Sequence, residues 1–179
     1  MGMVAFALGT VGLHRLPTFA ERGIEPIFIA IAIAWDAVLA GVGTFVFGML
    51  GHRVSARVFG ALGFALLAVG TWMTIYVDDL VTLFTSLSIW GVGIGGMMYM
   101  NNIVWAEYFG RAHVGTIRGF VMPFTLLLGA IGAPAAGYVF DITGTYDPVW
   151  WASTLVFLGC AALMLFTPPP GLSPTQSST

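Results

Sequence analysis

"PIFIAIAIAWDAVLAGVGTFVFGML", Pro26–Leu50, decides the fold class. At about 1.5 Å per residue, a helix over this stretch is long enough to cross a hydrocarbon core roughly 30 Å thick. Its one ionisable residue is Asp36. A barrel strand would be about ten residues long and would alternate polar with apolar residues, and this run does neither.

Four further runs have the same character: Ala56–Val77, Leu80–Trp105, Gly119–Phe140 and Pro148–Phe166. A sixth, Met3–Leu13, is too short to span alone and reads as the far end of a helix whose beginning is missing. The whole chain is 58% hydrophobic and 8% charged. Soluble domains carry about 25% charged residues, so lipid is the main solvent here and the bilayer the first partner. The expected fold is therefore an all-α membrane protein, with five full transmembrane helices and a partial first one. Residues 1–167 form the bundle, and the Pro/Ser/Thr-rich stretch 168–179 is expected to be a disordered cytoplasmic tail.

The six basic residues are all Arg and are scattered along the chain, which excludes a phosphate-tracking surface and hence nucleic acid. His14, His52 and His113 lie on separate connections with no metal-ligand spacing, and Cys160 stands alone, so neither a metal nor another cofactor is expected. An enzyme is a poor fit, because only one carboxylate is deep and no histidine lies near a buried serine.

Charge orients the bundle. The connections read Leu13–Glu25, Gly51–Ser55, Asp78–Asp79, Glu107–Arg118 and Asp141–Asp147. The second and fourth, with Arg57 beside them, hold Arg53, Arg57, Arg111 and Arg118; the others hold Arg15 and Arg22. The positive-inside rule puts the second and fourth connections, and the C-terminus, in the cytoplasm. Glu107, Arg111 and Arg118 either hold that loop on its side or also act in gating.

"GTFVFGMLGH" (Gly43–His52) and "GAPAAGYVFD" (Gly132–Asp141) match at a constant offset. Gly43, Gly48 and His52 correspond to Gly132, Gly137 and Asp141. The two segments end helices on opposite sides, the mark of a three-plus-three inverted repeat.

These residues bring out a family resemblance. "GMLGHRVSAR" (Gly48–Arg57) resembles the Gly-x-x-x-Asp-Arg loop motif of major facilitator superfamily transporters, with His52 in place of the Asp. "EYFGRAHVGTIRGF" (Glu107–Phe120) and "GYVFDITGTYDP" (Gly137–Pro148) resemble the loops after helices ten and eleven, and are most similar to monocarboxylate and oxalate/formate-type carriers. The resemblance implies helices seven to twelve of twelve, a secondary carrier working by alternating access, and a small-molecule solute bound between two halves. The N-terminal half, or a second copy, would be the partner. It also implies residence in the plasma membrane as a multi-pass protein.

Asp36 is the deepest acid, and a carboxylate there costs at least about 2.5–3.5 kcal/mol. It reads either as a proton-binding group or as a structural hydrogen-bonding one. Tyr99, Asn101 and Asn102 lie on the Leu80–Trp105 helix, which the resemblance implies lines the central cavity. Ser88, Gly91 and Gly95 share a stripe with Tyr99 and Asn102, and the glycines read as helix packing. His14 and Arg15, at the end of the short first run, either face the interface or meet an anion. Carboxylate carriers often have a cation in helix eight or eleven; Ala40 is not one and Gly119–Phe140 has none, so Arg15, His14 or the absent half must supply it. Trp72, Tyr76, Tyr146, Trp150 and Trp151 read as an aromatic belt. A stand-alone structural or regulatory membrane protein, or a homodimerising half-carrier, remains the alternative.

Overall fold

The computed structural model describes residues 2–51, 54–109 and 114–166, with side chains described except at Ala56, at 104–109 and at Val114. Six helices follow one another: α1 Gly2–Glu21, α2 Pro26–Leu50, α3 Ala56–Thr74, α4 Leu80–Phe109, α5 Val114–Thr143 and α6 Asp147–Phe166. All but α1 are long and apolar enough to cross a membrane. His52, Arg53, Arg111 and the expected tail 168–179 lie outside the described residues.

The first run is corrected. It does not stop at Leu13 but continues to Glu21, through Pro17. His14 and Thr18 read as part of a water-facing connection, yet both find partners inside the protein, as Thr10 does within the run. Thr10 donates to the Gly132 carbonyl at 2.9 Å, His14 Nε2 to the Ala133 carbonyl at 2.8 Å, and Thr18 to the His14 carbonyl at 2.7 Å. Satisfied this way, hydroxyl and imidazole groups are compatible with a helix in lipid. The expected loop Glu107–Arg118 shrinks likewise, since α4 reaches Phe109 and α5 begins at Val114.

The true first turn is short. Gly23, at φ 79°, takes the left-handed position that ends a helix, and Ile24 N–H reaches the Phe19 carbonyl at 3.3 Å. Arg22 Nη1 then donates to the Thr74 and Val77 carbonyls at 2.8 and 3.1 Å, satisfying the end of α3.

The α3–α4 turn carries an N-cap at Asp79, whose carboxylate accepts from the Thr82 amide at 2.7 Å and from the Thr82 hydroxyl at 2.6 Å. These bonds hold the Asp79 carboxyl below the usual carboxylate range. Its folded pKa is depressed, so its contribution to stability is present above the unfolded value and is lost as pH falls through the folded one. Thr82→Ala is expected to move the Asp79 titration, followed by its carboxyl-carbon NMR shift, back up toward that of an ordinary aspartate.

Packing reveals the repeat. α4 packs on α2 and α3, α1 on α5 and α6, and α3 on α6. Exchanging α1–α3 with α4–α6 reproduces this pattern. The contacts agree residue by residue. Gly9 of α1 lies on the Gly129 carbonyl of α5; a methyl on Gly95 of α4 would stand 2.6 Å from the Ala40 carbonyl of α2. Gly132 of α5 lies on the Phe6 carbonyl of α1, and a methyl on Gly43 of α2 would stand 3.1 Å from the Val92 carbonyl of α4. One offset takes Phe6 to Val92 and Gly9 to Gly95; a second takes Ala40 to Gly129 and Gly43 to Gly132. Glycine lets backbones approach closely where apolar burial gives no drive between helices.

The core joins α3, α4, α6 and α1 through Phe64, Leu67, Ala68, Trp90, Trp150, Phe157 and Val11. Trp150 is fully buried there, so it is a core residue and leaves the expected aromatic belt. Trp72, Tyr76 and Trp151 are exposed. In contrast α2 and α5 are covered on one side only, and each leaves an apolar face open.

Candidate functional site

Arg15 and Asp36 form an ion pair, with Arg15 Nη1 3.6 Å from Asp36 Oδ2. Asp36 stands about 15 Å along α2 from Pro26, near half the thickness of a hydrocarbon core. The Arg15 side chain is 4% exposed and that of Asp36 18%. Arg15 therefore faces inward, not toward the membrane interface. Pairing offsets part of the cost of holding each charge in lipid.

α4 supplies the rest of the site. The Arg15 guanidinium lies over the Trp90 ring, 3.8 Å from its centroid, a cation–π contact that lets the charge survive burial. Trp90 is itself braced edge-on by Phe157 at 5.6 Å. Gly91 makes room for the carboxylate: a methyl there would stand 2.6 Å from Asp36 Oδ1 and 2.5 Å from the Asp36 carbonyl. One turn before, Ser88 accepts a hydrogen bond from Trp35 Nε1 at 2.9 Å. Thus Ser88, Gly91 and Gly95 form the seam on which α2 rests.

The pair is incompletely satisfied. Arg15 Nε, Arg15 Nη2 and Asp36 Oδ1 are buried with no hydrogen-bond partner among the described residues. The Nε/Nη2 edge of a guanidinium is one that takes a carboxylate through two parallel bonds. The site therefore has an unused anion-binding edge beside an unused carboxylate oxygen.

A family model of the Major Facilitator Superfamily matches residues 1–179. The chain belongs to the Major Facilitator Superfamily. No curated protein and no solved structure matches it. Members of the Major Facilitator Superfamily are membrane transporters, not enzymes, and this chain is an integral multi-pass membrane protein of that kind.

Within this superfamily member, the expected site residues separate into groups. His14 sits next to the pair in sequence but turns to α5 and the α5–α6 connection, bonded to Ala133 with its ring 5.0 Å from Tyr146. Tyr99 lies toward the other end of α4, its ring edge-on to Phe59 at 5.8 Å and its hydroxyl against Gly51. That contact supports the α2–α3 connection, and a methyl on Gly48 would stand 4.0 Å from the same ring. Asn102 accepts a hydrogen bond from Arg118 Nη2 at 2.9 Å. It lies about 16 Å along α4 from Gly91, so it does not meet the ion pair. Asn101 is half-buried beside it, and Arg57 is half-buried in the first turn of α3. Glu107 falls within α4. A methyl on Gly137 would meet none of the described residues within 4 Å, and Asp141 is exposed near the end of α5.

Trp90 and Gly91 are the site residues that sequence reasoning missed as partners of Asp36. A usable signal existed: Arg15 and Asp36 are opposite charges in otherwise apolar surroundings, and a deep acid in a membrane requires a partner.

Proposed function

We propose that the chain is one six-helix half of a secondary carrier that works by alternating access, taking a small organic solute, with an organic anion as the best match. The observation that carries this reading is the unsatisfied Arg15–Asp36 pair inside the span. Arg15 meets the anion and Asp36 binds the coupled proton, whose charge offsets that of the solute. Neutralising Asp36 would release Arg15 to the solute.

The partner is a second six-helix half, either covalently linked or a second copy. Support comes from the open faces of α2 and α5. Ala30, Ala34, Gly41 and Gly48 are exposed along α2. At the offset relating Gly43 to Gly132, their counterparts on α5 are Gly119, Pro123, Ala130 and Gly137, the first three exposed and the last half-buried. Small residues so arranged admit close approach of further helices.

Arginine placement supports a cytoplasmic C-terminus. With Arg15 inside a helix, Arg22 is the single arginine at one end, against Arg53, Arg57, Arg111 and Arg118 at the other. Glu107, His52 and these arginines then belong to the cytoplasmic face, where the Asn102–Arg118 bond ties α4 to α5.

The test is solute uptake into vesicles by the chain with its partner half, with and without an inward proton gradient. Asp36→Asn is expected to abolish gradient-driven uptake while solute exchange persists. Gradient-driven uptake that survives in D36N removes Asp36 from coupling.

A further inference from the structure

A groove of about 170 Å³ opens between α1, α5 and α6, away from the ion pair. Phe6, Ala136, Val139, Val149, Ala152 and Val156 line it, and from Pro148 to Val156 it runs about 12 Å along α6. Its polar wall groups are Thr10, whose hydroxyl is committed to the Gly132 carbonyl, and Ser153. A water needs two to four polar partners, so water is a poor occupant. Two of its walls, α5 and α6, are long and apolar enough to cross a membrane, where hydrocarbon chains are the surrounding solvent.

The mouth is acidic. Each of the three enclosing helices has an exposed acid at this end: Glu21 closes α1, Asp141 lies in the last turn of α5, and Asp147 opens α6 beside Pro148. Glu21 and Asp141 lie close enough to Tyr146 to raise its phenol, after the larger effect of burial. Arg22, the arginine of this end, is turned away to the Thr74 and Val77 carbonyls. An anionic lipid headgroup would be repelled here and a cationic group attracted.

We propose that this groove seats one acyl chain of a phospholipid whose headgroup carries an ammonium, held among Glu21, Asp141 and Asp147. The site is independent of the transport reading, since it needs only that α5 and α6 span the bilayer. The bound chain would fill the opening between α5 and α6, which touch each other little along their length.

The full chain in nanodiscs is to be labelled with photoactivatable-acyl phosphatidylethanolamine or phosphatidylglycerol, and the labelled peptides read by mass spectrometry. Labelling is expected on the α6 peptide holding Ala152 and Val156, with ethanolamine favoured over glycerol. Asp147→Asn, at an exposed position, is expected to reduce that preference about fivefold. Ala152→Phe, which fills the groove, is expected to remove the label, whereas Leu155→Phe on the exposed side of α6 leaves it. Equal labelling by the two lipids, or labelling unchanged in both D147N and A152F, overturns the proposal.

Discussion

Arg15→Gln is expected to abolish solute transport and also to lower the yield of folded protein. Removing one member of a buried pair leaves an uncompensated charge, a loss of about 3–5 kcal/mol in soluble proteins. Here the stranded group is Asp36, packed against Gly91 in the middle of α2. The decisive comparison is with Arg15→Gln/Asp36→Asn together. Two neutral amides can bond each other, so the double variant is expected to recover folded yield, seen as a monodisperse peak on size exclusion in detergent. Transport is expected to stay absent, because the anion-binding edge of Arg15 is gone. If the double variant transported at the wild-type rate, the pair would be structural and the solute site would lie elsewhere.

Gly95→Leu is expected to prevent assembly of the bundle. A methyl at Gly95 would stand 2.6 Å from both the Ala40 carbonyl and the Thr44 amide. These are backbone atoms of α2 and cannot turn aside. The substitution would also break the hydrogen bond from Thr44 to the Gly95 carbonyl at 3.3 Å. Overpacking typically costs about 1–3 kcal/mol, and prying two helix backbones apart belongs at or above the top of that range. Gly41→Leu is the control. A methyl there would meet none of the described residues within 4 Å, and Gly41 sits on the open face of α2. That variant is expected to fold as wild type yet fail to associate with a partner half in pull-down from detergent. Normal folding in G95L would mean that the α2–α4 contact is not the seam described.

Helices with uniformly apolar sequences were legible, because a hydrocarbon solvent permits little else. Pro26–Leu50 coincides with α2, and the remaining spans differ from the observed helices mainly where polar residues begin. Polarity misled at α1, where His14, Arg15 and Thr18 suggest water, but His14 and Thr18 bond to carbonyls of α5 and α1 and Arg15 pairs with Asp36 of α2. A one-dimensional reading sees the polar group and not the carbonyl that receives it. Asp36 stood out from its own helix alone, whereas its partners come from α1 and α4. The α2–α5 match was readable because three positions recur at one spacing. The α1–α4 match rests on Gly9 and Gly95 with different residues between, and became visible only through the carbonyls they touch. Tyr99 and Asn102 share a stripe with Gly91, but helix rise separates them by two to three turns, and depth decided their neighbours.

The glycine contacts make the scaffold nearly two-fold, but the charges do not follow it. At the offset that carries Gly9 onto Gly95, Arg15 falls on Asn101; at the one that carries Gly43 onto Gly132, Asp36 falls on Thr125. A scaffold built twice in opposite senses has no means of telling one side of the bilayer from the other. The Arg15–Asp36 pair has no charged counterpart at those two positions, so it gives the middle of the bundle a direction, as the uneven arginines give one to its ends. Moved to Asn101 and Thr125, the pair would meet Val4 and Ala5 where it now has the ring of Trp90 and the room left by Gly91, so the scaffold accepts it in one sense only.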